Sequence, residues 1–251
     1  MGLNREALVC THLEGSYNGK KSIIHDLSFS VKKEEVVGLI GSNGTGKSTT
    51  IKGIIDLLPF KKGEVVINGY SMERETREAK KSLGYVPELP QIYDELTLQE
   101  HLRMIAAMYE LTDEVYEKKS KELLTLFSLN ERLTDFPADF SKGMQQKTMI
   151  LCAFMHQPDL YIIDEPFIGL DPFAIKNLTT LLLSEKERGA GILMSTHVLD
   201  SAEKICDRFI IMKDGGILAQ GTLAELYASQ GEFPSLLDLY IHLASQEQGH
   251  E

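Results

Sequence analysis

Residues 41–49 read Gly41-Ser42-Asn43-Gly44-Thr45-Gly46-Lys47-Ser48-Thr49. The three glycines leave the backbone free to turn its N–H groups to one side, and a lysine and two hydroxyls close the run. The spacing G-x-x-x-x-G-K-[ST] is that of a loop whose consecutive N–H groups cradle a phosphate, provided a strand precedes it and a helix follows. Both conditions are met. Val36–Ile40 is an unbroken apolar run, as a strand covered on both faces reads, and a helix is predicted from Lys47 to Leu58. The helix N-terminus adds its positive dipole end. Lys47 is then placed to reach the β and γ phosphates of a nucleoside triphosphate, and Ser48 to ligate Mg²⁺.

Further along, Leu160-Tyr161-Ile162-Ile163-Asp164-Glu165 is an apolar strand that ends in two carboxylates. Asp164 is expected to hold Mg²⁺, directly or through water. Glu165 is expected to orient and deprotonate an attacking water, a base contribution of about 10²–10⁴ in rate. Ser195-Thr196-His197 also follows an apolar strand. His197 can contact a γ phosphate there, although a polar residue capping a strand end would read the same. Phe140-Ser141-Lys142-Gly143-Met144-Gln145-Gln146 precedes a helix, and Ser141 suits its N-cap. A capped helix N-terminus beside a small residue is also a second anion site.

The 251 residues carry a formal net charge of −11, which argues against a nucleic-acid partner. Cys10, Cys152 and Cys206 are too scattered for a disulfide or zinc pattern and point to a reducing compartment. No apolar run approaches the roughly 18 residues of a membrane span. The opening MGLNREALVC has no signal-peptide core, so the expected place is the cytoplasm, with any membrane role reached through a partner.

Ser22 to Val31 alternates like a half-buried strand. Asn18-Gly19 and Asn68-Gly69 are hairpin-turn signals. From Leu96 to about Ser128 the apolar spacing is helical, with no strand candidate. Strand and helix then alternate: Leu160 to Ile163, Pro172 to Arg188, Gly191 to Ser195, a short helix to Cys206, and Arg208 to Met212. This predicts an α/β fold, a mixed, mostly parallel sheet core with an antiparallel β subdomain and an inserted helical subdomain. One domain is expected over 1–251: core and β subdomain from 1–88 and 151–225, the helical subdomain at 89–150, and an extension at 226–251. Leu236 to Leu243 reads as an ordinary packed helix.

Taken in order, Gly41–Thr49, Ser141–Gln146, Ile163–Pro172 and His197 resemble the ATP-binding cassette of ABC transporters, over about residues 5–225. The resemblance implies a P-loop ATPase using ATP and Mg²⁺, in which all of Gly41 to Thr49 bind the triphosphate. Tyr17 would stack on adenine. Glu88, standing where the family usually has glutamine, would ligate Mg²⁺ with Ser48 and Asp164. Gly169-Leu170-Asp171 resembles the loop through which two cassettes sense each other. The family's usual signature is L-S-G-G-Q. Here Ser141 and Gly143 are kept to contact the partner-site ATP, while Lys142, Met144 and Gln145 fill out the motif. Phe167-Ile168 replaces the common small polar pair, and Glu34 stands at a usual turn glycine.

The whole pattern is most similar to bacterial Ecs-type ATP-binding subunits. That implies an exporter in which two copies of this chain drive a separate integral membrane subunit from the inner face of the cell membrane. Two other readings compete. A soluble ABC ATPase acting on ribosomes or DNA usually has two cassettes or a long coiled coil. A P-loop kinase of a small metabolite leaves Ser141-Lys142-Gly143 and His197 unexplained.

Overall fold

The structure, a computed structural model, describes residues 5–15 and 23–246. Among the described residues the strands form two sheets. The smaller is antiparallel. β1 (Glu6–Gly15) lies between β2 (Ile24–Lys32) and β4 (Phe60–Ile67), and β4 pairs in turn with β5 (Tyr70–Ser71). Asn68 and Gly69 join β4 to β5 with φ of 49° and 89°. Two positive φ values match the twist of a two-residue hairpin, which is why Asn-Gly occupies it. The expected Asn18-Gly19 turn lies outside the described residues.

The larger sheet is built from β3 (Val36–Ile40), β6 (Leu83–Val86), β7 (Leu160–Asp164), β8 (Gly191–Thr196), β9 (Arg208–Lys213) and β10 (Gly216–Gly221). Their order is β10-β9-β3-β8-β7-β6, parallel except for the β9–β10 hairpin. Every residue of β3, β7 and β8 is buried, which explains their continuous apolar runs. The carboxyl ends of β3, β6, β7 and β8 open on one edge, where ligands of such sheets bind.

The helix after β3, α1, spans Lys47–Ile54 and so stops short of the expected Leu58. Asp56 takes a left-handed φ of 63°, and the N–H groups of Leu57 and Leu58 both return to the Lys52 carbonyl. Pro59 further disfavours helix in the residue before it. α2 (Thr76–Lys81) leads into β6. Between β6 and β7 come α3 (Leu98–Met108), α4 (Asp113–Leu126) and α5 (Lys142–Phe154). The first two start at Thr97 and Thr112, each accepting an N–H from the first turn. α5 runs without a break through residue 150. α6 (Pro172–Arg188) opens on Asp171 with proline in its first turn. α7 (Leu199–Ile205), α8 (Leu223–Gln230) and α9 (Leu236–Gln246) follow.

The large sheet is covered on both faces. Val37, Leu39, Ile162 and Leu193 pack with Leu8, Leu13 and Ile51 toward the antiparallel sheet and α1. Val36, Tyr161, Ile163, Ile192 and Met194 pack on the other face with α3, α4, α5 and α6 through Leu102, Leu123, Phe154 and Leu178. A third cluster joins Ile40, Phe209 and Ile211 to Leu199, Leu226, Leu236, Leu239 and Leu243. α9 is thus a packed helix on the end of β3, the strand that feeds the glycine-rich loop.

Candidate nucleotide site

The loop from Gly41 to Gly46 is held from several sides. A side chain at Gly41 would put its Cβ 2.5 Å from Thr45 Oγ1 and 2.8 Å from the Met212 carbonyl oxygen. Gly44 and Gly46 have φ of 85° and 104°, and Gly44 faces open space. The Gly215 N–H donates to the Thr45 carbonyl (3.1 Å). The Ser42 N–H donates to the Tyr240 hydroxyl oxygen (2.9 Å). Lys47 is only 6% exposed. Its Nζ donates to the carbonyls of Gly41 (2.7 Å) and Ser42 (3.2 Å). An ammonium has three donors, so one remains to point at an anion in the cavity.

The acidic edge is fixed by strand register. Asp164 pairs with Ser195 across β7 and β8. The Ser195 hydroxyl donates to Asp164 Oδ1 (2.5 Å) and accepts the Glu165 N–H (3.1 Å). The Ser48 hydroxyl reaches the same Asp164 oxygen at 3.4 Å. Glu165 follows with φ of 49°, a left-handed conformation that costs about 1–3 kcal/mol and is tolerated where surrounding structure over-determines it. That turn brings its carboxylate to the loop. Oε1 lies 4.0 Å from Lys47 Nζ, and Oε2 lies 2.9 Å from His197 Nδ1 and accepts the His197 N–H at 3.3 Å.

Glu88 lines the same cavity as Asn43, Gly44, Lys47, Ser48, Thr49, Glu165 and His197. Burial pushes the Tyr85 hydroxyl far above its ordinary pKa, and the charges of Asp164 and then Glu88 push it further. Among the described residues no cluster of three or more His, Cys, Asp or Glu could hold a metal unaided. Ser48, Asp164 and Glu88 offer hard oxygen donors, the set Mg²⁺ takes when phosphate oxygens and waters complete its shell.

Among the described residues that line this cavity, none comes from 141–145. Ser141 caps α5, accepting the Met144 N–H at 3.4 Å, and both Ser141 and Lys142 are exposed. The Gln145 amide donates to the carbonyls of Pro137 (3.1 Å) and Ala138 (3.3 Å) and holds the preceding turn. A Cβ on Gly143 would fall 2.4 Å from the Gly169 carbonyl oxygen, so glycine is required at 143 by packing alone. Gly169 itself has φ of 79°, and Leu170 packs against the apolar cluster under α5 and α6. Asp171 accepts the Ala174 N–H (2.9 Å) and pairs with Lys147 (2.8 Å). Lys147 holds the Asp171 carboxyl below the usual carboxylate range.

The roles of Ser195, Lys147 and Tyr240 are not visible in the sequence, since each depends on a partner brought close only by the fold. Tyr17, expected to stack on adenine, lies outside the described residues.

A phosphate-wrapping loop on the carboxyl edge of a mostly parallel sheet is the arrangement of P-loop ATPases. The sequence profile of the ABC transporter family matches residues 24–168. The ABC-type transporter ATP-binding protein EcsA of Bacillus subtilis (strain 168) is 46% identical over 240 residues, 95% of this chain and 97% of that protein. The linearmycin resistance ATP-binding protein LnrL of the same organism is 38% identical over 213 residues, 85% of this chain and 68% of that protein. A solved structure of an ATP-binding subunit of an ABC transporter superposes with a TM-score of 0.92 at 46% identity, covering 95% of this chain and 99% of that one. The chain belongs to the ABC transporter family, as an ATP-binding subunit with ATPase activity.

Proposed function

We propose that this chain is the motor of an exporter, in which two copies close around two ATP molecules and drive a separate integral membrane subunit. One observation carries the dimer. The N-terminus of α5 at Ser141 and Gly143 lies outside the chain's own cavity, with Ser141 and Lys142 exposed, which supports a reading in which a second copy brings a phosphate to it. Among the described residues no helix is long and apolar enough to cross a membrane, and the translocation path is assigned to the partner. The motor then works in the cytoplasm, on the inner face of the cell membrane. Outward transport is supported by LnrL, a resistance protein, because moving a compound out of the cell is how a transporter confers resistance. The chain acts as one cassette, a core with its β subdomain (1–88 and 151–225), a helical subdomain (89–150) and an extension (226–251).

In this reading the N–H groups of the loop and Lys47 hold the β and γ phosphates, and Tyr17 stacks on adenine. Ser48, Asp164 and Glu88 would hold Mg²⁺, which when bound neutralises phosphate charge. Glu165 accepts a proton from the water whose oxygen attacks the γ phosphorus, and the bond to the β–γ bridging oxygen breaks, leaving ADP. His197 orients Glu165 through the 2.9 Å contact and can reach the γ phosphate. Gly169, Leu170 and Asp171 carry the state of this site to α5.

Glu165→Gln tests the scheme. It keeps the shape but cannot take the proton, which slows hydrolysis by about 10²–10⁴, a barrier about 3–5 kcal/mol higher. Binding should persist, and the protein should become a dimer when ATP and Mg²⁺ are added. A variant that stays monomeric by light scattering at saturating ATP, even beside its membrane partner, contradicts the composite site.

A further inference from the structure

We propose that Tyr240, on the C-terminal helix, is a positioning residue for ATP binding. Its hydroxyl fixes the first peptide of the phosphate loop in the shape that receives the triphosphate. The proposal rests on the assignment of ATP to that loop and adds a control element to it.

The bond in question spans the chain. The Ser42 N–H donates to the Tyr240 hydroxyl oxygen at 2.9 Å. That N–H belongs to the same planar peptide as the Gly41 carbonyl, which accepts from Lys47 Nζ at 2.7 Å. A trans peptide points its N–H and C=O in opposite directions. Tyr240 and Lys47 therefore clamp one peptide unit from its two sides, and whatever fixes Tyr240 also fixes the resting place of the Lys47 ammonium.

Tyr240 is itself well fixed. Leu236, Leu239 and Leu243 are buried in the cluster that includes Ile40, the last residue of β3. Positions 236, 239, 240 and 243 fall on one face of a helix, so the stripe that anchors α9 also aims Tyr240 at the loop. Both ends of α9 are held. The Leu236 N–H donates to Glu203 Oε2 (3.0 Å), and Lys213 Nζ donates to the Ala244 carbonyl (3.0 Å). Lys213 precedes the turn whose Gly215 N–H donates to the Thr45 carbonyl (3.1 Å). α9 thus supports the loop twice, directly at Ser42 and through the β9–β10 turn at Thr45.

The physical role follows from the glycines. A loop with Gly44 and Gly46 has much backbone freedom to lose when its N–H groups converge on a phosphate. Ordering part of that loop beforehand removes part of the cost from binding. Glu165, just past β7, is held by its own contacts to Ser195 and His197, so the tether should act chiefly on affinity.

The test compares the full chain with Tyr240→Phe, which removes one hydroxyl and keeps the ring. The Kd for ATP by calorimetry, and the KM for hydrolysis, should rise about two- to ten-fold, the worth of one neutral hydrogen bond. The kcat should stay within about two-fold. The unfolding midpoint without nucleotide measures any purely structural effect separately. Two outcomes overturn the tether: an unchanged Kd in Tyr240→Phe, or a loss confined to kcat. Lys47→Ala serves as the reference. If it leaves ATP binding intact, the loop is not the ATP site and both readings fall. If it abolishes binding while Tyr240→Phe binds as the parent does, only the tether falls.

Discussion

Lys47 is a buried ammonium held by two backbone carbonyls and 4.0 Å from Glu165. Its charge is the loop's own balance for a triphosphate, added to the oriented N–H groups. Lys47→Ala should therefore abolish tight ATP binding, and titration calorimetry that finds parent affinity would contradict the assignment. The residues of the loop were legible in the sequence because the motif is contiguous. Glu165 and His197 were legible as strand-end residues, but their mutual contact was not, since it depends on β7 and β8 being neighbours. Glu34 shows the limit at the level of one residue. It occupies a left-handed position, φ 60°, where glycine would sit without strain.

At the scale of elements, β6, α3 and α5 meet at His156. Its ring stacks on Tyr109 with centroids 3.6 Å apart, and its Nε2–H donates to the Leu83 carbonyl (3.1 Å). Among the described residues Nδ1 is buried without a partner. Burial pushes the imidazole pKa down to about 4, the Leu83 bond opposing and Arg188 assisting. The folded state thus keeps His156 neutral, whereas the unfolded chain protonates it near its ordinary value of about 6.5. The unfolded state binds more protons between those limits, so this contribution is fully present above about pH 6.5 and is lost as pH falls toward 4. Between pH 7 and pH 5 it should amount to about 2 kcal/mol. Urea unfolding at both pH values should show that loss in the parent and a smaller one in His156→Gln.

Long apolar runs and helical spacing made β3, β7, β8, α3, α4 and α6 readable. α2 and α8 were not, because Ala79 and Leu226 are the only buried residues within them and no apolar period forms. The end of α1 is not legible in the sequence, because Asp56 and Pro59 act locally against an otherwise continuous pattern.

At the scale of the whole molecule, the proposed dimer would bring together two chains of net charge −11 each around two anions. The attraction has to come from local sources, two helix N-termini and one lysine at each site. Ser141→Arg in the Glu165→Gln background places bulk at the α5 terminus against the partner's γ phosphate. ATP-dependent dimerisation should be lost while each copy still binds ATP. Light scattering with calorimetry checks this, and a dimer that survives would show that the association uses another surface. The order of motifs along the chain was enough to read the fold class. The tie between α9 and the phosphate loop was beyond it, joining residues 198 positions apart.

The approach of Gly143 to the Gly169 carbonyl has one more consequence. Gly169 lies four residues beyond Glu165, and Gly143 lies in the turn that, in the proposed dimer, meets the other copy's ATP. At that contact the two segments meet main chain to main chain, with no side chain between them. A shift of the Gly169 carbonyl would therefore press on the α5 terminus directly, without first turning a side chain.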